Sequence, residues 1–106
     1  MMHMSEADNG RQINVAVGET LELELPETSG TGFRWAFTSS AESILALEKE
    51  YSADAATVPG SGRIRCWRFK AIAPGDATLE LVYARPWEKR APVRSFSAKL
   101  RTSRMP

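Results

Sequence analysis

Apolar and polar residues alternate with a period of two along most of this chain. Ile13-Asn14-Val15-Ala16-Val17 begins the pattern, and Gly18-Glu19 marks a turn before Leu21-Glu22-Leu23-Glu24-Leu25, the signature of a strand with one face buried. Pro26 ends that run, because it has no N–H to give to a sheet ladder. The alternation resumes at Phe33-Arg34-Trp35-Ala36-Phe37 and again over 64–72, 77–84 and 93–101, with Pro74-Gly75-Asp76 as turn chemistry between two of these stretches. Ser39-Ser40-Ala41-Glu42 has the form of a capping box ahead of a helical turn. Leu45, Leu47, Lys49 and Tyr51 fall on one face of an extended chain, which predicts a strand from about residue 45.

About seven short strands at this spacing, with no long amphipathic helix, predict two sheets packed face to face. The expected fold is an all-β, immunoglobulin-like antiparallel β-sandwich, with a small barrel as the alternative. A single domain over 12–103 is expected, preceded by a flexible N-terminal arm over 1–11. A chain of 106 residues and 42% hydrophobic content suits one such domain.

Charge adds a qualification. Fourteen Lys and Arg against thirteen Asp and Glu give a net +1, which argues against a polyanion partner. The balance conceals a split: residues 1–62 carry three basic and ten acidic residues, and residues 63–106 carry eleven basic and three acidic. In a sandwich, strands from both halves share sheets, so the two charge sets are expected to offset each other. No apolar run approaches the ~18 residues of a membrane span. Met1-Met2-His3-Met4-Ser5 has no apolar stretch of a secretory signal, so a cytoplasmic location is expected, or a secreted or periplasmic one if the N-terminus is processed.

Candidate catalytic chemistry is thin. The single Cys, Cys66, lies in an alternating run and reads as a small residue packed in a strand, because the one His, His3, falls in a terminus expected to fray. No Ser-His-Asp set and no cluster with metal-ligand spacing is apparent, and Glu22 with Glu24 reads as a solvated strand face. No enzyme, cofactor or metal is expected. Trp67, Phe69 and Tyr83 interleaved with Arg65, Arg68 and Lys70 suggest a stacking face for nucleic acid, but strand positions of this kind belong to a core; no nucleic-acid partner is expected.

Three loops stand out, and function on a sandwich usually sits on loops at one end. Thr28-Ser29-Gly30-Thr31-Gly32-Phe33 is rich in small residues that let a backbone approach a partner. Ala53–Arg63 is long for a tight sandwich and contains Gly60-Ser61-Gly62-Arg63, which lacks the Lys of a phosphate-cradling loop. Arg85-Pro86-Trp87 places a Trp among charges at a hairpin tip, and Trp and Arg are enriched at binding hot spots.

In that order, the three loops resemble those of the chagasin-like inhibitors of papain-family cysteine proteases. The family pattern is Asn-Pro-Thr-Thr-Gly-Phe/Tyr-x-Trp, then Gly-x-Gly-Gly, then Arg-Pro-Trp/Phe. Here the counterparts are Thr28-Ser29-Gly30-Thr31-Gly32-Phe33-Arg34-Trp35, Gly60-Ser61-Gly62-Arg63 and Arg85-Pro86-Trp87, together with the Val17-Gly18-Glu19 turn and the Leu25-Pro26 pair. The resemblance spans about residues 14–101 and implies an immunoglobulin-like fold and a non-enzymatic, monomeric, reversible inhibitor. Its implied partner is a papain-like cysteine protease, the organism's own or foreign. By this resemblance Thr31 and Gly32 sit over the protease nucleophile, Trp87 anchors one wall of the cleft, and Gly60, Ser61 and Gly62 meet the other. Thr28-Ser29 replaces Asn-Pro, Gly30 replaces the first Thr, and Arg63 replaces a Gly, which implies a less pre-organised first loop and altered potency or selectivity. The alternative is an immunoglobulin-like module that binds another protein or a glycan with the same loops.

Overall fold

Leu21, Leu23 and Leu25 have no exposure to solvent, and the strand that carries them, β3 (Thr20–Glu27), lies near the middle of one of two sheets. The computed structural model describes residues 1–28, 31–54, 63–89 and 91–104. The other strands are β1 (Met2–Met4), β2 (Gln12–Ala16), β4 (Arg34–Ser40), β5 (Leu45–Asp54), β6 (Arg63–Ala71), β7 (Gly75–Ala84) and β8 (Arg94–Ser103), with a 3-10 turn at Glu6–Asp8 between β1 and β2. One sheet has the order β1-β3-β6-β5 and the other β2-β8-β7-β4. Among the described residues no helix is long and apolar enough to cross a membrane.

The sheets face each other across a core in which Leu21, Leu23, Leu25, Trp67 and Phe69 meet Leu79, Leu81, Phe96 and Leu100, all at most 1% exposed. Each such side chain contributes about 1.5–3 kcal/mol on burial, which is why alternation alone located these strands. Strands β3 to β8 pair antiparallel, as expected. The two N-terminal strands add in parallel, β1 beside β3 and β2 beside β8.

The N-terminus differs from the expected flexible arm over 1–11. Met2–Met4 pairs with Leu21–Leu23, and Met4 is 1% exposed in the core. A second difference lies in β5, where the register shifts between Leu47 and Lys49. Leu45 and Leu47 oppose Ala71 and Phe69 on the core face, whereas Lys49 and Tyr51 oppose Arg68 and Cys66 on the outer face. One extra residue in a strand inverts every side chain beyond it, so the four residues expected on one face divide between two. The stretch before β5 forms only a turn, with Ile44 and Leu45 donating to the carbonyl of Ala41.

On the outer face of the β3 sheet the reading of a solvated pair holds for Glu24, whose side chain is 41% exposed, but not for Glu22. Glu22 is 3% exposed although it points away from the core. The Tyr51 hydroxyl donates to Glu22 Oε1, and Arg68 Nη2 lies 3.5 Å from Oε2. Nor is His3 frayed, since it stands opposite Glu22 in the pairing of β1 with β3. The charge halves interleave as expected: basic β6 lies between acidic β3 and β5, pairing Glu22 with Arg68 and Glu27 with Arg63.

Candidate functional site

Strands β3, β5 and β7 run toward one end of the sandwich, and β4, β6 and β8 start from it. Glu27 and Asp54 both oppose Arg63 there, Arg34 opposes Ala84, and Tyr83 opposes Arg94. Topology therefore gathers the β3–β4, β5–β6 and β7–β8 connections at a single end. Because β1 parallels β3 and β2 parallels β8, the Glu6–Asp8 turn is a fourth connection at that end, held by an Arg94 Nη1 to Glu6 Oε1 contact of 3.0 Å. Sequence reasoning missed it because a three-residue strand offers almost no alternation to read.

An aromatic stack supports the end from below. The ring of Tyr83 lies 4.9 Å from that of Trp35 and 5.4 Å from that of Phe33. Two hydrogen bonds tie the sheets together here. Trp35 Nε1 donates to the carbonyl of Pro26 at 2.9 Å, and the Thr28 amide donates to the Tyr83 hydroxyl at 3.0 Å. The end of β3 is thus fixed to β4 and β7 before the first loop begins.

The first loop is closed on itself by Thr31. Its hydroxyl donates to the carbonyl of Thr28 at 3.0 Å and accepts from the Phe33 amide at 3.3 Å. Gly32 follows with φ +83°, a conformation L side chains rarely adopt. The third loop turns at Arg85-Pro86-Trp87-Glu88, with the Glu88 amide donating to the Arg85 carbonyl at 3.1 Å. Pro86 suits the second position of such a turn because its φ is already set.

Arg85 joins the two loops. Its Nε donates to the carbonyl of Thr31 at 2.8 Å, its guanidinium lies 4.4 Å over the ring of Phe33, and Nη1 donates to Glu88 Oε1 at 2.9 Å. Trp87 reaches across to Gly32 while remaining 69% exposed. So the structure brings Thr28, Thr31, Gly32, Phe33, Arg85, Pro86 and Trp87 into one cluster, with Pro86 and Trp87 outward and Arg85 turned in. Arg63 starts β6 at the same end and is exposed. Ser29, Gly30, Gly60, Ser61 and Gly62 lie outside the described residues.

Residues 14–100 match the model of the chagasin family of peptidase inhibitors, I42. The chain belongs to the chagasin family. It is 34% identical to Chagasin of Trypanosoma cruzi over 89 residues, covering 79% of this chain and 81% of that protein. It is 33% identical to Amoebiasin-1 of Entamoeba histolytica over 101 residues, covering 93% and 97%. Its fold superimposes on the crystal structure of the cysteine protease inhibitor EhICP2 from Entamoeba histolytica with a TM-score of 0.87, at 22% identity and covering 96% and 95% of the two chains.

Chagasin-family proteins are inhibitors of cysteine proteases, not enzymes, and the chemistry of the described residues agrees. Cys66 is 3% exposed, and burial pushes its thiol pKa up, the reverse of what an attacking thiolate needs. His3, Glu22 and Glu24 bring ligand atoms within 4.8 Å of one another, a grouping unforeseen from sequence. Glu22 is already engaged by Tyr51 and Arg68, and the Arg68 guanidinium opposes a cation beside it. Trp67, Phe69 and Tyr83 are 1–7% exposed and stacked inside the sandwich, so they offer no platform for bases.

Proposed function

We propose that the four-connection end of this chagasin-family chain occludes the active-site cleft of a papain-like cysteine protease, reversibly and without a covalent bond. The observation that carries this reading is the union of Thr31–Phe33 with Arg85–Trp87: two loops fixed side by side, with a large indole left 69% exposed at the tip. An exposed Trp on a rigid support is what a binding anchor needs, since little freedom remains to be lost on association.

In this reading Thr31 and Gly32 lie over the catalytic Cys, flanked by Thr28, Ser29, Gly30 and Phe33. Trp87 with Pro86 packs against one wall, and Gly60, Ser61, Gly62 and Arg63 meet the opposite one. A footprint of this kind buries ~1,600 Å² in total, the common size for protease–inhibitor pairs. The match of residues 14–100 to the chagasin family of peptidase inhibitors supports the class of partner.

Titration of papain with the full chain, followed by peptide hydrolysis, tests the proposal. Saturable inhibition that reverses on dilution, with the chain left uncleaved, is the expected result. Full papain activity at micromolar concentrations of the chain would leave only a binding module for some other protein or glycan.

A further inference from the structure

The family motif ends at Trp87, yet the next residue completes the contact between the loops. Glu88 Oε1 lies 2.9 Å from Arg85 Nη1, with the two side chains 27% and 34% exposed. Arg85 has its Nε on the Thr31 carbonyl at 2.8 Å and its planar face 4.4 Å from the Phe33 ring centre. A guanidinium has one orientation that serves all three at once: edge to a carbonyl, edge to a carboxylate and face to a ring. Remove the carboxylate, and the Nη1 edge is drawn to water, away from the first loop.

We infer that Glu88 is a positioning residue for the binding end, acting through Arg85, and that Arg85 is an internal strut rather than a contact to the protease. The inference rests on the proposed function for its consequence, but its geometry belongs to the free chain. Arg85 and Glu88 stand three residues apart in a turn closed by the Glu88 amide on the Arg85 carbonyl. That turn aims Trp87 outward over Gly32 while the strut holds the Thr31 carbonyl beneath. Glu88 thereby sets the separation of the anchor Trp87 from the Thr31-Gly32 apex. Loss of this setting acts on how long a complex lasts more than on how fast it forms, because encounter depends on overall shape and charge.

A double-substitution cycle tests this, with papain as the partner. Glu88→Gln and Arg85→Lys are each expected to raise the dissociation rate about tenfold while changing the association rate less than threefold. The double variant is expected to dissociate no faster than the worse single, because both break the same strut. In the free protein, both substitutions are expected to speed hydrogen exchange at the Phe33 amide about tenfold and to leave those of Leu21 and Leu81 unchanged. Wild-type dissociation from Glu88→Gln, additive effects in the double variant, or unchanged Phe33 exchange would each overturn the inference. Should the wild-type chain leave papain untouched, the proposed function fails, and the exchange measurement still decides whether Glu88 positions the first loop.

Discussion

The indole of Trp87 rests on Gly32: a Cβ built on Gly32 would collide with Cη2 of the ring and lie 2.9 Å from Cζ2. The two loops are far apart in sequence, yet the third uses the first as its floor. Gly32 is therefore required twice, once for φ +83° and once for the space that the ring occupies.

Gly32→Ala tests both requirements. The positive φ costs about 1 kcal/mol with a side chain, and the methyl group displaces the indole. Thermal unfolding should fall by about 5 °C, and the dissociation constant for papain should rise at least tenfold. An unchanged dissociation constant would mean that the Trp87–Gly32 contact is irrelevant to binding.

Trp87→Ala separates binding from stability. A side chain 69% exposed holds little of the fold together, so stability in urea should stay within about 0.5 kcal/mol. Inhibition of papain should weaken by about 2 kcal/mol or more, roughly 30-fold. A large stability loss with intact inhibition would reassign Trp87 to the scaffold.

Met4→Ala tests the integration of the N-terminus. Met4 is 1% exposed in the shared core, and truncating a buried Met costs about 2–5 kcal/mol. Urea unfolding should show a loss in that range, whereas a chain with a loose arm would lose nothing.

Tyr51 predicts a dependence on alkaline pH. Its hydrogen bond to Glu22, with burial adding to it, pushes the phenol from 10.0 up to about 12. The folded state thus favours the protonated phenol, and the unfolded chain releases the proton first. The resulting stability is complete below pH 10 and is lost as the pH rises toward 12. Tyr51→Phe should flatten the fall in stability measured by urea unfolding between pH 10 and 12, relative to wild type. Parallel curves for the two proteins would contradict the bond to Glu22.

The fold was legible where alternation runs long enough to leave one phase. Leu21-Glu22-Leu23-Glu24-Leu25 and the stretch from Leu79 to Tyr83 each put every second side chain in the core, and both became central strands. Met2-His3-Met4 has the same alternation over too few residues to be read. Lys49 and Tyr51 part from the face of Leu45 and Leu47 because of the bulge after Leu47, which leaves no trace in residue type. Glu22 read as solvated because local pattern gives direction only. Its cover comes from Tyr51 and Arg68 on other strands. At the site, small residues and an out-of-place Trp revealed the loops. The inward turn of Arg85 toward Thr31 and Glu88 depends on distances between loops, which no spacing along the chain encodes.

The central claim is that this end of the sandwich fills a protease cleft. Its most direct test is binding, by calorimetry, to papain with an empty cleft and to papain whose catalytic Cys already carries a covalent peptide-like blocker. Cleft occlusion predicts tight one-to-one binding to the first and none measurable to the second. Equal binding to both would place the contact elsewhere on the protease and contradict the account.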